Sequence, residues 1–328
     1  MGKRTDFLES CLNKDLMDKI EALIVGIPLN QLSRERERLT DLYRNRKSGD
    51  LSPLKSHLQR LAYLCARMPS TYAVICRVLT ELKNRSPDCS IQSVLDIGSG
   101  PGTALLALDE MQMGVTHALL LERDPEFIAL AKQLTVDLEN IEKSWLCKDA
   151  LHLNESTTSD LVIASYCLNE IEEKNRLQLV EKLWNLTGQF LILIEPGTEA
   201  DFRISKEIRQ KLIALGGHLM APCPHHNGCP LPSPDWCHFS ARLERSSLQR
   251  KVKGAALNYE DEKFFYLIFS KTEQGHCQSR VLKRPIKGEG FVKIQLCSTE
   301  GIEDKVITKK NKPLYSNFKK LEWGDSLD

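Results

Sequence analysis

An aspartate and three glycines on alternate positions stand out in Val94-Leu95-Asp96-Ile97-Gly98-Ser99-Gly100-Pro101-Gly102-Thr103. Glycine lets the backbone turn sharply and approach a ligand, because no Cβ intervenes. A helix-like pattern begins at Thr103, and a helix start offers unpaired N–H groups. A dinucleotide-binding turn looks similar, but here the usual third dinucleotide glycine is missing. An apolar run over 117–121 then ends at Glu122. A carboxylate at such a strand tip can accept both hydroxyl hydrogen bonds of a ribose, though a plain surface acid fits the pattern as well. The second reactive group is Cys223-Pro224-His225-His226-Asn227-Gly228-Cys229-Pro230, continued in Asp235-Trp236-Cys237-His238-Phe239. Its prolines and glycine forbid regular helix or strand, so thiolates converging on a metal would supply what holds the loop. Zinc sites usually carry tighter cysteine pairs, and the wider spacing here is compatible with an iron–sulfur cluster on four thiolates. His225, His226 and His238 are rival ligands that would turn the site towards zinc.

These groups need a frame. Residues 143–147, followed by Asp149-Ala150, form a poorer third strand; 160–166 form a fourth and 190–195 a fifth. Apolar runs separated by helical segments predict a parallel sheet covered on both faces. Asp124 and Pro125 are placed to cap and open a helix. Residues 1–88 read as helical, with Leu58, Leu61, Ala62 and Cys65 in one pattern and Val74, Ile75, Val78, Leu79 and Leu82 in another. Pro69 should separate the two. The core is expected over 89–270, with residues 263–269 as its penultimate strand and a cysteine-rich insertion at 221–240. Residues 271–328 read as a β extension in which strands over 280–284 and 291–296 flank a turn at 287–290.

Forty-five basic residues oppose 44 acidic ones, a net charge of +1, so no global field favours nucleic acid and any such contact rests on local patches. No apolar run is long enough to cross a bilayer. The first residues lack a secretory apolar stretch, and Asp6, Glu9, Asp15 and Asp18 argue against a mitochondrial transit peptide. Eleven cysteines without a signal peptide predict reduced thiols or metal ligation.

The glycine turn resembles motif I of class I S-adenosylmethionine-dependent methyltransferases, where the glycines pack against the methionine part of the cofactor. Together with Ala66-Arg67-Met68-Pro69-Ser70-Thr71-Tyr72-Ala73, the Cys223-Pro224-His225 and 235–239 segments and Trp323-Gly324-Asp325, the chain resembles the methyltransferase-like family associated with the small ribosomal subunit. That family is best known from mitochondria and has bacterial members; the likeness runs from about residue 60 to the end. It implies an α/β class I methyltransferase (Rossmann-like) fold with a mostly parallel sheet. S-adenosyl-L-methionine would lie at Asp96, Gly98, Gly100, Gly102 and Glu122, with Asp149 and Ala150 at the adenine. A [4Fe–4S] cluster, or zinc in its place, would sit on Cys223, Cys229, Cys237 and a fourth cysteine. Cys297, at the end of a strand-like run, is preferred over Cys277 in its polar loop. The implied partner is the small ribosomal subunit and its 16S-type rRNA; the expected protein is a monomer of the bacterial cytoplasm, away from membranes.

Activity is a separate matter. After the fourth strand the chain reads Ser165-Tyr166-Cys167-Leu168-Asn169-Glu170, without the N/D-P-P-Y/F motif of base-amino methyltransferases. Cys167 lacks the Pro-Cys context of a pyrimidine-C5 nucleophile and reads as a buried thiol. Asn169 and Glu170 fit a capping role equally well, so no catalytic residue is assigned. Three functions stay open: a methyltransferase for rRNA or a ribosomal protein, a non-catalytic ribosome assembly factor, and a methyltransferase for a non-ribosomal substrate. Phosphate contacts are sought at Arg242, Arg245, Arg250, Lys251 and Lys253, at Lys283, Arg284 and Lys287, and at Lys309, Lys310, Lys312, Lys319 and Lys320. The alternating stretch Arg34, Arg36, Arg38, Arg44, Arg46 and Lys47, broken by Glu35 and Glu37, reads as a solvated helix face.

Overall fold

The computed structural model describes residues 14–45, 54–154 and 156–327; Asp6, Glu9, Arg46 and Lys47 lie outside them. Four helices come first: α1 (Lys14–Leu23), α2 (Leu29–Asn45), α3 (His57–Ala66) and α4 (Met68–Arg85). Ser56 caps α3 by accepting the Gln59 N–H at 3.2 Å. Pro69 falls in the first turn of α4, where its missing N–H costs nothing, so the break predicted there lies at Arg67. Along α4, residues 68–76, Val78, Leu79 and Leu82 are all buried. Leu16, Met17, Ile20, Leu32 and Leu39 from α1 and α2 join the same apolar core as the sheet. The helical region therefore shares its core with the sheet domain.

The sheet begins with β1 (Ser93–Ile97), α5 (Thr103–Glu110), β2 (His117–Glu122), α6 (Pro125–Leu134) and β3 (Glu142–Cys147). It continues through β4 (Ser159–Ser165), α7 (Glu173–Asn185), β5 (Thr187–Pro196), α8 (Glu199–Ala214) and β6 (His218–Ala221). β7 (Phe239–Glu244), α9 (Ser247–Lys253) and β8 (Tyr259–Ser270) complete it. Strand order is β3-β2-β1-β4-β5-β8-β6, parallel from β3 to β5, with β8 antiparallel to β5. This is the class I methyltransferase arrangement that the glycine turn implies. β8 comes last in the chain yet sits next to the edge, penultimate in the sheet. Its second half pairs with β5 and β6, while its first half, 259–264, pairs with β7. β1, β4 and β5 are almost wholly buried, as central parallel strands between helical layers must be, whereas edge strand β3 is mostly open.

The C-terminal extension differs from its predicted form. β9 (Ser279–Val281) stops short, and after Pro285 a separate strand β10 (Ile286–Gly288) makes the tight hairpin with β11 (Phe291–Ser298). Proline cannot donate to a ladder, which explains the cut. β12 (Gly301–Thr308), too polar to be read as a strand, pairs along the whole of β11. α10 (Lys312–Phe318) and β13 (Ser326–Leu327) close the chain. Val281, Ile294, Leu296 and Phe318 form a small second core here. Among the described residues no helix is long and apolar enough to cross a membrane.

Candidate functional site

A large pocket opens at the C-terminal ends of the parallel strands, the place where open α/β sheets bind ligands. Gly98 and Gly100 line it after β1, Glu122 after β2, Asp149 and Ala150 after β3, Ser165, Tyr166, Cys167 and Asn169 after β4, and Pro196 after β5. The glycine turn takes left-handed backbone angles, φ +66° at Gly98 and +51° at Gly100. A Cβ at Gly98 would stand 3.0 Å from Cys167 Cβ, while one at Gly100 meets nothing closer than 4.0 Å. Gly102 plays another part. It is not in the pocket lining, and a Cβ there would press on Thr135, just past the end of α6, and on Ala131 of α6 at 3.3 and 3.5 Å.

Glu122 binds the turn to the second strand. Its Oε2 accepts the Gly100 N–H at 2.9 Å and its Oε1 the Asp124 N–H at 2.8 Å. Each carboxylate oxygen has a further lone pair for a ligand hydroxyl. Burial raises the pKa of Glu122 and these two N–H bonds oppose the rise. Asp96 is buried beneath the turn, its Oδ2 without a partner among the described residues. Burial, and then the charge of Glu122, push it up to about 8. Glu195 at the end of β5 is likewise pushed up to about 8 by burial and then by Asp201, although it accepts the N–H groups of Leu168 and Asn169 at 3.0 and 3.3 Å. Asp149 is half-buried and accepts the Leu151 N–H at 2.9 Å, capping a short turn. Burial, then Glu195, raise the Cys167 thiol well above its ordinary range, which disfavours a nucleophilic thiolate there.

The pocket has a wall that the sequence did not assign to it. Tyr63, Ala66, Arg67 and Thr71 from α3 and α4 line the side facing the strand ends. Arg67 pairs with Glu262 of β8 at 3.3 Å and stands 5.9 Å from the Tyr166 ring centre. The Ala66–Ala73 signature is thus part of the pocket, a role with no local sequence mark. Arg36 also reaches in, donating to the Lys253 carbonyl at 3.1 Å, and Glu35 is buried beside Arg38. The face of α2 read as solvated is therefore partly docked.

On the far side of α8, Cys223, Cys229, Cys237 and Cys297 line one smaller pocket walled by Phe202, Phe239, Phe265, Leu231, Leu282 and prolines. Residues 222–238 carry no regular helix or strand, as their prolines require. Cys277 is not in that lining; it is buried under Arg280, whose Nη2 lies 3.9 Å from its sulfur. Burial, then the other three thiols, raise Cys237 well above its ordinary range, and burial with Cys223 and Cys229 pushes Cys297 up to about 12. Among the described residues, no three His, Cys, Asp or Glu side chains are grouped so as to hold a single metal ion as they stand. The rival histidines are engaged. His226 Nε2 accepts the Leu219 N–H at 2.9 Å, and His238 stacks on Trp236 with Trp323 at its edge. His225 Nε2 faces Cys297 Sγ at 3.7 Å.

The family described as mitochondrial small ribosomal subunit Rsm22 matches residues 57–328. The chain belongs to the Rsm22 family. It is similar to the ribosome assembly protein METTL17, mitochondrial, of Homo sapiens: 26% identical over 288 residues, covering 81% of this chain and 62% of that one. It is also similar to the Rsm22-cox11 tandem protein 2, mitochondrial, of Schizosaccharomyces pombe: 26% identical over 325 residues, covering 81% of this chain and 43% of that one. The chain thus spans about two-fifths to three-fifths of the length of these relatives. The magnesium protoporphyrin IX methyltransferase of Synechocystis with bound SAH superposes with a TM-score of 0.42 at 11% identity, over 73% of this chain and all of that one.

In this Rsm22-family chain the candidate phosphate contacts divide in two. Arg242 grips Asp261 through two 2.7 Å bonds, and Arg245 and Lys253 pair with Glu260. Lys283 pairs with Asp235 at 2.6 Å, Arg284 approaches Asp261 at 4.0 Å and Lys287 pairs with Glu322. By contrast, Arg250, Lys251, Lys309, Lys310, Lys312, Lys319 and Lys320 are exposed, with no ion pair among the described residues.

Proposed function

We propose that this chain binds S-adenosylmethionine at the strand-end pocket and acts on or with the small ribosomal subunit, as an rRNA methyltransferase or as an assembly factor. The observation that carries the cofactor reading is the glycine turn at the strand-end pocket, tied through the Gly100 N–H to Glu122 at the tip of β2. Glu122 lines the pocket beside Gly98 and Gly100, and Gly100 leaves open space next to it for a ligand. Glu122 keeps lone pairs for ribose hydroxyls, and Asp149 with Ala150 lies where the adenine would rest. Methyl transfer can proceed by holding the acceptor in line with the sulfonium. Ser165, Tyr166 and Asn169 line the pocket, and their hydroxyls and Asn169 Oδ1 are buried without a partner among the described residues, so they are the polar groups at hand for that purpose. The ribosomal part of the reading is supported by family membership and by the METTL17 relative, a ribosome assembly protein by name.

The cysteine pocket fits a [4Fe–4S] cluster by its donor set: four thiols and no carboxylate in a lining of apolar side chains, His225 and the cations Lys206, Arg209 and Arg280. Cys223, Cys229, Cys237 and Cys297 would hold it. Bound there, the cluster would pull the four thiols into the ionised form and supply a one-electron redox centre. Those ligands would join the 222–238 loop to β11 of the extension. The cofactor reading is tested by calorimetry with S-adenosylmethionine. Gly100 has open space beside it, so Gly100→Arg should abolish binding by filling the pocket with its side chain. Equal affinity in wild type and variant refutes the assignment. Sedimentation with small-subunit particles at low salt tests the partner, and a protein that stays in the supernatant refutes it.

A further inference from the structure

Three cations line the cysteine pocket: Lys206, which is exposed, and two buried arginines whose bonding differs. Arg280 is 1% exposed. Its Nε donates to the Pro222 carbonyl at 2.9 Å, its Nη1 to Gly324 O and Glu81, and its Nη2 to Glu81 and the Cys277 sulfur. All of its N–H groups are thereby used, and Glu81 cancels its charge. Arg209, on α8, is 2% exposed and lines the same pocket. Its Nη2 donates to the His225 carbonyl at 2.7 Å. Its Nε and Nη1 are buried with no partner among the described residues, and no carboxylate there pairs with it. A buried guanidinium without an anion is costly, and native proteins rarely keep one unless something compensates it.

Nothing else in the pocket lining is an acid; the groups able to carry negative charge are the four cysteines. Arg209 shares the lining with Cys223 and is held to the same loop by its bond to the carbonyl of His225, two residues on. Four thiolates outweigh the positive charge of an iron–sulfur core, so the assembled centre would be a buried anion. We infer that Arg209 is the counter-ion of the cysteine-ligated centre, a positioning residue whose free N–H groups face its sulfurs and favour its reduced state. The inference rests on the cluster reading above. Reduction adds a further negative charge, and a fixed cation beside the centre favours that step; taking the cation away makes it harder. His225, whose Nε2 faces Cys297 Sγ at 3.7 Å, gives its carbonyl to Arg209 and so helps to fix the guanidinium in the lining.

The test uses the full chain purified under anaerobic conditions, as wild type and as Arg209→Met, with iron, sulfide and the midpoint potential measured for each. The Met variant should either lose iron or keep it with the one-electron reduction equilibrium shifted on the order of tenfold towards the oxidised form, about 59 mV more negative. Equal iron and an equal potential overturn the role of Arg209 and leave the cluster standing. Wild type without iron and sulfide removes the reading on which the inference rests, a separate failure. If the Met variant does not fold, reduced wild type carrying isotopically labelled arginine decides the matter by pulsed electron paramagnetic resonance. A guanidinium-nitrogen coupling is expected from Arg209, since Arg280 has no N–H left to give; its absence overturns the inference.

Discussion

Glu81 on α4 is the anion that makes the buried Arg280 affordable, and its substitution gives a prediction with a worked size. Burial alone would raise the Glu81 pKa, but Arg280 at 2.6 Å and Arg85 at 3.1 Å overcome it and hold it at about 2. In the unfolded chain it would titrate near about 4.3. The folded pKa is the lower one, so its stabilisation is present above about pH 4.3 and is lost as pH falls towards 2. The displacement is worth about 3 kcal/mol at neutral pH, the low end of the roughly 3–5 kcal/mol seen when a buried pair is broken. Glu81 is 15% exposed on its side chain and Arg280 1%, so solvent screening takes little of this away. Glu81→Gln should therefore cost about 3 kcal/mol at pH 7, and roughly half of that gap should have closed at pH 3. Urea unfolding followed by circular dichroism at pH 7, 5 and 3 measures it, with wild type as the reference at each pH. A gap under about 1 kcal/mol at pH 7, or one that stays constant down to pH 3, refutes the reasoning. Because Arg280 also holds the Pro222 and Gly324 carbonyls, the same variant should loosen the cysteine loop and the terminal Trp-Gly-Asp segment together.

Asp96 behaves in the opposite sense: with its folded pKa at about 8, it contributes stability that is whole below about pH 4 and lost as pH rises through 8. Asp96→Asn should match wild type in thermal melts near pH 4 and exceed it at pH 8; a variant that is less stable at pH 8 contradicts this. In the cysteine pocket, Cys297→Ser should lose iron while Cys277→Ser keeps it, as read by iron and sulfide content after anaerobic purification; the reverse order would move the fourth ligand to Cys277. On the surface, changing Lys309, Lys310, Lys312, Lys319 and Lys320 together to Gln should shallow the salt dependence of small-subunit RNA binding, by up to about 0.9 in log–log slope per lost phosphate contact. Neutralising Lys283, Arg284 and Lys287 should change it less, since Asp235, Asp261 and Glu322 already occupy them.

What could be read from the sequence depended on whether the deciding force was local. The glycine turn, the Asp124 cap and the broken cysteine loop are local, because each follows from backbone freedom, a side-chain acceptor or a missing N–H within a few residues. The sheet was legible because its central strands are buried on both faces and so must be apolar throughout. β12 was not, since Glu303, Asp304 and Lys305 give it the look of a loop and only its ladder with β11 makes it a strand. The site divides along the same line. Glu122 could be placed from its spacing, but the position of Arg67 over Tyr166 depends on how α3 and α4 dock on the sheet. Gly102 shows the limit in reverse: its spacing groups it with Gly98 and Gly100, yet its φ of +80° serves the contact with Thr135 and Ala131. Arg209 and Arg280 are the sharpest case. Nothing in the sequence separates them, and both end up almost fully buried at the same pocket. Glu81, 199 residues away in the chain, makes one a satisfied structural tie. With no such partner among the described residues, the other is a buried cation in a lining shared with four thiols. Their difference is one of long-range pairing, which periodicity and motif spacing do not encode.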